Sequence, residues 1–281
     1  VVLNFVLAEP NVLIESQILQ ALQALGIAKH RVLLPGIAWQ ARLPSAAHWR
    51  AKLVGVFANL PIDWMLLSDD WRPQLAVFDM DSTLITMEVI DELAALANAK
   101  PQVAAITAAA MRGDMDFKES FAARMQYLAG LPQSQMHQVV EEMQLMPGAQ
   151  QLLQWLQGLS CRTAIVSGGF DYFAKIVQQR LQMDAVIANL LEIEAGHLTG
   201  RVLGQVVDAE HKRQSLCDLA ASYGVAMANT LVVGDGANDL PMLKAAGIGL
   251  AFHAKPNVQQ QAPWSARFIS MDQIPYLLAS I

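Results

Sequence analysis

Two acids, Asp79 and Asp81, stand two residues apart behind the apolar run 75–78 and ahead of Ser82 and Thr83. The run reads as a buried strand. A strand that ends in carboxylates places them where ligands bind in parallel α/β sheets. Alternation puts Asp79 and Asp81 on one side if the strand continues. Two unpaired acids there repel each other and lose hydration. A hard divalent cation relieves both problems, and Mg²⁺ favours one or two carboxylates together with a substrate phosphate. The competing reading is a pair of turn residues, since acids are common after strands. A second stretch, 231–242, repeats the design: an apolar strand ends in Gly234, Asp235 and Gly236, followed by Asn238 and Asp239. A third, 163–170, ends in Ser167, Gly168 and Gly169, a hydroxyl and bare backbone suited to a phosphate. Lys212 lies between these last two strand ends. A lysine at a helix start is disfavoured by the helix dipole, so this cation is best understood as neutralising Asp79 and a phosphate.

Taken together, Asp-x-Asp-Ser-Thr at Asp79, Ser-Gly-Gly-Phe at Ser167, Lys212 and Gly-Asp-Gly-Ala-Asn-Asp at Gly234 resemble the four motifs of haloacid-dehalogenase-like phosphatases, in order and spacing. The resemblance covers about residues 72–281, is strongest to the members acting on phosphoserine, and is specific because it rests on the whole set. It implies hydrolysis of O-phospho-L-serine, the last step of serine biosynthesis. In that chemistry Asp79 attacks phosphorus and forms an aspartyl-phosphate, and Asp81 protonates the leaving oxygen and then activates water. The resemblance also implies Mg²⁺ on Asp79, Asp235 and the backbone carbonyl of Asp81. Ser167, Gly168 and Lys212 hold phosphate oxygens, with Asn238 and Asp239 orienting metal waters or Lys212.

The elements that position these residues form an expected α/β fold. A Rossmann-like core with a parallel sheet spans 71–85 and 147–281, since strands alternate with helices. Residues 86–146 read as helical throughout, in segments 88–99, 102–112, 116–129 and 132–142, with Gly113-Asp114 between the second and third. Inserted after the first acidic strand end, they form a cap that excludes water. Within the cap, Arg124 can hold a carboxylate bidentately, Glu88 can take an ammonium, and Met111 and Phe117 can wall the space between. As isolated residues, Arg124 and Glu88 read equally as solvated helix charges. The resemblance aligns both with residues that grip the amino acid's carboxylate and amine. Residues 186–207 read as a hairpin forming a small second insertion, with His197 a turn residue. His211 is incidental. Further strands are expected at 245–251 and 267–269.

Residues 1–70 follow the order βαββαβ, with strands at 1–8, 31–34, 37–43 and 62–67. The helices are 11–25 and one reaching from an N-cap at Ser45 to Asn59. This order is the split ferredoxin-like unit. It resembles the ACT regulatory fold in pattern only, which leaves a structural or dimerising module and a ligand sensor both open. Asp69, Asp70 and Pro73 mark the junction with the catalytic part.

The 281 residues allow one large or two modest domains. At 54% hydrophobic and 16% charged, the chain builds a sizeable core and is not a disordered segment. A net charge of −6 disfavours nucleic acid, while a local cluster of cations still governs a small anionic substrate. Cys161 and Cys217 are isolated and read as reduced thiols. No signal-peptide pattern and no bilayer-spanning run is evident, so a cytoplasmic enzyme, possibly a homodimer, is the expectation. Two alternatives share these residues. One is a transferase passing the phosphate to another hydroxyl compound such as homoserine. The other is a non-catalytic amino-acid-binding regulatory protein, against which the intact Asp79, Asp81, Lys212 and Asp235 argue.

Overall fold

The structure, a computed structural model, describes residues 1–27, 29–44, 49–112 and 114–280. Among them two sheets form. The first contains β1 (Val2–Leu7), β2 (His30–Leu34), β3 (Ala38–Arg42) and β4 (Ile62–Leu67), with α1 (Val12–Ala24) after β1 and α2 (Trp49–Phe57) after β3. Its order is β2-β3-β1-β4, with every neighbouring pair antiparallel, which is the ferredoxin-like arrangement. Alternation along β1 divides its two faces. Leu3, Phe5 and Leu7 pack with Ile18, Leu22, Leu53 and Phe57 of the two helices. Val2 and Val6 face the larger core instead. Asn11 caps α1 by accepting from Ile14 N at 3.1 Å. The expected N-cap Ser45 lies outside the described residues, as does Gly113.

The second sheet begins with β5 (Leu75–Phe78). Four helices follow: α3 (Val89–Leu96), α4 (Lys100–Arg112), α5 (Phe117–Gln126) and α6 (Met136–Glu142). The chain then runs through α7 (Ala149–Gly158), β6 (Arg162–Phe170), α8 (Asp171–Leu181), β7 (Ala185–Glu194), β8 (His197–Leu203), α9 (Ala209–Ser222) and β9 (Thr230–Gly234). It ends with α10 (Leu240–Ala245), β10 (Ile248–Phe252), α11 (Pro256–Gln261), β11 (Trp264–Ala266) and α12 (Ile274–Leu277). The strand order is β11-β10-β9-β5-β6-β7-β8, parallel except for the antiparallel β7–β8 pair. Central strands of such a sheet are buried on both faces. Accordingly Ala76, Phe78, Ile165, Leu231 and Val233 belong to one core, while Leu75, Val77, Ala164, Val166 and Val232 belong to the core on the other side. Parallel order puts the C-terminal ends of β9, β5 and β6 side by side, with β5 between the other two.

Three expectations are corrected. The hairpin at 186–207 is not set apart from the sheet, because β7 first pairs with β6 in parallel and only then turns into β8. The strand expected at 245–251 starts at Ile248, because α10 runs on to Ala245. The last strand is Trp264–Ala266, not 267–269. The amides of Arg267, Phe268 and Ile269 are taken by the buried Asp63 carboxylate of β4, at 2.8, 2.8 and 3.0 Å. A carboxylate reaching in from the other sheet thus replaces a neighbouring strand, where sequence periodicity gives no sign of it.

Candidate active site

β5 stops at Phe78, so Asp79 and Asp81 sit in the turn beyond it and not on a continued strand. Asp79 remains tied to the sheet through its N–H, which donates to Val233 O at 3.0 Å. The turn closes on Met80 O, which accepts from Thr83 N, Leu84 N and Ile85 N. Ser82 holds a left-handed φ of +55° there, and its Oγ donates to Glu88 Oε1 at 2.7 Å. Thr83 Oγ1 donates across to Asp235 Oδ1 at 2.9 Å, joining the ends of β5 and β9.

Lys212 lies in the first turn of α9, whose N-cap Asp208 accepts from His211 N at 2.8 Å. Its side chain is fully buried, and Nζ lies 2.9 Å from Asp79 Oδ1 and 2.7 Å from Asp239 Oδ1. Burial works against the charged ammonium, yet Asp239 and then Asp79 hold its pKa above the ordinary lysine value. One oxygen each of Asp79, Asp235 and Asp239 lie within 4.8 Å of one another. The Asp235 carboxyl is pushed up to about 7 by burial, then by the charges of Asp79 and Asp239. Burial and then Asp79 push Asp239 up to about 6, against the pull of Lys212. Three crowded carboxylates, two of them paired with the Lys212 ammonium, fit a hard dication, which would remove this repulsion. The Asp81 carboxylate is not one of the three. It accepts from Val89 N at 3.4 Å, and its proton is retained well above the usual carboxylate range by burial, then by Glu88 and Asp79.

β6 supplies the third side of the site. Its register with β7 runs Val166–Ile187 and then Phe170–Asn189, so Ser167, Gly168 and Gly169 bulge out opposite one residue. Ser167 Oγ accepts from Gly169 N at 3.0 Å. A Cβ at Gly169 would lie 2.7 Å from Asp81 Oδ2 and 3.2 Å from Ser167 Oγ, so those two groups converge where only glycine fits. A Cβ at Gly168 would lie 3.9 Å from the Phe117 ring and 4.0 Å from Asn238 Nδ2. Phe117 of the inserted helices therefore reaches the bulge from one side and Asn238 from the other. Phe117 stacks on Phe121 with ring centroids 6.2 Å apart, and Phe121 meets Phe170 at 6.5 Å.

Arg124 is half-buried on α5 and donates to Ser120 O of its own helix at 3.4 Å. Burial lowers its pKa, while Asp91 and then Glu88 act to raise it. Glu88, at the N-cap of α3, has its carboxyl raised by burial, partly offset by the Ser82 hydroxyl. Met111 lies on α4, and its side chain is outside the described residues. His197 stays in the hairpin and His211 makes no described ring contact to the acids; the ring of His197 bonds only to Ala195 O, at 3.0 Å.

Sequence reasoning missed several residues. Thr83 bonds to Asp235, and its place right after the acidic pair was the available signal. Asn189 is buried on β7, donates to Gly168 O at 2.8 Å and accepts from Val207 N at 2.9 Å. Lys118 of α5 pairs with Asp208 of α9 at 3.1 Å. No local pattern announces the last two, because each joins segments far apart in the chain.

Adjacent parallel strands that deliver an acid pair, a glycine bulge and a third acid beside a buried lysine, beneath an all-helical insertion, define an α/β core of Rossmann-like topology with its site at the strand ends. Residues 76–244 match the model of the haloacid dehalogenase-like hydrolases, and the chain belongs to that family. It is 50% identical over 191 residues to the phosphoserine phosphatase of Idiomarina loihiensis, covering 68% of this chain and 87% of that protein. It is 49% identical over 209 residues to the phosphoserine phosphatase SerB2 of Mycobacterium tuberculosis, covering 74% of this chain and 51% of that protein. The chain therefore spans about half the length of this second relative. A haloacid-dehalogenase-family hydrolase of Salmonella enterica serovar Typhi has the same fold over 98% of both chains, with a TM-score of 0.88 and 30% identity. No helix among the described residues is long and apolar enough to cross a membrane.

Proposed function

We propose that the chain is a Mg²⁺-dependent phosphatase that hydrolyses O-phospho-L-serine to L-serine and inorganic phosphate through an aspartyl-phosphate. The observation that carries this reading is Asp79 held 2.9 Å from the buried Lys212 ammonium, at the meeting of three strand ends. The named phosphatases at 49–50% identity supply the substrate.

A phosphate monoester resists water because its oxygens repel a nucleophile and its alkoxide leaves poorly, so accelerations of up to ~10²¹ are needed. In the proposed mechanism Asp79 attacks phosphorus in line, forming the Asp79–phosphorus bond as the bond to the serine oxygen breaks. Asp81 gives its proton to that oxygen. Asp81 then takes a proton from water, whose oxygen attacks phosphorus and releases Asp79. Lys212, Ser167 Oγ and the Gly168 N–H hold the phosphate oxygens, and Asn238 orients the same loop. Asp79, Asp235 and the backbone carbonyl of Asp81 would hold Mg²⁺, with Asp239 behind them; when bound, the ion supplies charge neutralisation for nucleophile and phosphate. Arg124 takes the substrate carboxylate and Glu88 its ammonium, with Phe117 and Met111 walling the space.

In the same reading residues 71–281 are the phosphatase, with the cap at 86–146, and residues 1–70 are an ACT-like module. The cytoplasm is the compartment that suits the two unpaired thiols, Cys161 and Cys217. The test is phosphate release from L-phosphoserine beside phosphothreonine, phosphoethanolamine and an aryl phosphate, with Mg²⁺ and with EDTA. Strong preference for phosphoserine, lost in EDTA, is expected. Equal turnover of all four would discard the Glu88–Arg124 clamp, and no release from any would discard the reading. If no phosphate is released, formation of serine and phosphohomoserine once homoserine is added would identify the transferase instead.

A further inference from the structure

Arg124 has its one described hydrogen bond within its own helix, so its place over the site is set by whatever seats α5. That seat is β8, the antiparallel edge strand. Gly130 N donates to Leu198 O at 2.8 Å, Leu198 N to Leu131 O at 2.9 Å, and Gln133 N to Gly196 O at 2.8 Å. Pro132 and His197 form an antiparallel bridge between these bonds. The chain just beyond α5 is thereby stitched to the sheet edge as a short extra strand, over a core containing Leu198, Met125 and Leu128.

The end of the helix itself rests on Gly200. This residue holds φ +81°, and a Cβ built there would lie 3.0 Å from Met125 O, 3.1 Å from Ala129 Cβ and 3.4 Å from Gln126 Cα. Met125 is the residue after Arg124, so the carbonyl that touches Gly200 belongs to the peptide next to the one that follows Arg124. Gln126 Nε2 donates to Gly200 O at 3.4 Å. Two other glycines in and after the hairpin, Gly196 and Gly204, hold φ +77° with nothing described within 4 Å of a built Cβ. All three share the backbone requirement for glycine. Gly200 adds a requirement for close approach.

We propose that Gly200 is a positioning residue for substrate recognition: its bare backbone seats α5 at the distance that brings the Arg124 guanidinium onto the substrate's carboxylate. The inference rests on the phosphoserine reading and extends it to a residue on the far side of α5 from the chemistry. A methyl group at Gly200 displaces α5 by a few tenths of an ångström, and misplacement of about 1 Å is worth on the order of 10²-fold in such systems. In this reading the phosphoryl group is held by residues of β5, β6, β9 and α9, whereas the atoms nearest a Cβ at Gly200 belong to Met125, Gln126 and Ala129, so the phosphoryl chemistry is expected to stay intact.

The experiment compares Gly200→Ala with Gly204→Ala, using phosphoserine and phosphoethanolamine as substrates and a thermal melt for each variant. Both substitutions put a side chain at a positive φ, +81° and +77°, and only the first has α5 atoms within 4 Å of its Cβ. Expected for Gly200→Ala is a KM for phosphoserine raised about five- to tenfold, with kcat unchanged and phosphoethanolamine, which lacks the carboxylate, turned over as before. Gly204→Ala should match the parent on both substrates. An unchanged KM in Gly200→Ala, or an equal loss on both substrates, overturns the inference. A parent protein that does not distinguish the two substrates overturns the clamp reading itself, before any variant is made. If Gly200→Ala does not fold, Gln126→Ala removes only the side-chain bond to Gly200 O. A rise of about twofold in KM for phosphoserine alone supports the inference, and no change overturns it.

Discussion

Two places in the molecule bury aspartates, and their surroundings are completed in opposite ways. Where β4 meets the segment after β11, Asp63 accepts three consecutive backbone N–H groups, with the Arg267 Nε 3.8 Å away. At the C-terminal ends of β5 and β9, Asp79, Asp235 and Asp239 crowd together; Asp79 and Asp239 share the ammonium of Lys212, and Asp235 accepts from Thr83 Oγ1. Asp63 has its acceptor capacity filled by the fold and joins two sheets. The three strand-end acids also receive donors, from Met80 N, Thr83 Oγ1, Gly236 N and Lys212, yet they keep a mutual repulsion that a bound cation would relieve. Burial alone therefore does not mark a functional acid. What separates the two sites is whether a buried acid stands alone among donors or is crowded by other acids.

The contrast can be broken from either side. Asp79→Asn should reduce phosphate release about 10⁴-fold or more, because an amide is no nucleophile. Its melting temperature should not fall, since one of the repelling charges is gone; near-normal turnover would refute the role assigned to Asp79. Lys212→Met should abolish turnover and also destabilise the fold by about 3–5 kcal/mol, because it strands two buried carboxylates. Chemical denaturation of the variant reads this, and an unchanged midpoint would mean that the acids are compensated elsewhere. Asp63→Ala should leave kcat for phosphoserine unchanged while costing about 2–4 kcal/mol, since three buried N–H groups lose their acceptor. Turnover falling in step with stability would instead make the junction part of the catalytic machinery.

The smallest expected effect concerns pH. Burial raises the Asp63 pKa, against the three N–H groups and Arg267, which lower it. A raised folded-state value means that the native protein holds this proton longer than the unfolded chain does. The contribution of Asp63 is then fullest below the unfolded value of about 3.9 and is lost as pH rises through the folded value. The parent's stability should therefore fall more than that of Asp63→Asn, which lacks the titration, as pH rises from below the unfolded carboxylate value. A steeper fall in the variant would reverse the sign assigned here.

The local elements were readable because each is set by short-range pattern. Apolar runs such as 230–234 and the helical periodicity of 11–25 specify themselves within a few residues. So does the acid-bearing strand end at Asp79, followed by the hydroxyl pair Ser82 and Thr83. The strand expected at 267–269 failed for a reason outside its own segment: its amides bond to Asp63, about two hundred residues earlier. The hairpin at β7–β8 was readable as a hairpin, yet its first strand could not be assigned to the main sheet without knowing its partner β6. Thr83 carries no signal by type, since threonines in this setting are ordinary, and its partner Asp235 comes from another strand end.

From the sequence alone came the residue types at the ends of β5, β6 and β9, the alternation that makes those strands buried, and the helical character of the insertion. These depend on covalent order and on periodicities of two and 3.6 residues. The tertiary structure decided which groups meet. It buried Lys212 between Asp79 and Asp239, brought the Asp81 carboxylate to the Gly169 bulge, filled Asp63 with amides of the other sheet, and seated α5 on Gly200. Distances of this kind follow from how whole elements pack, because burial and low dielectric make each charge depend on every neighbour the fold brings near it.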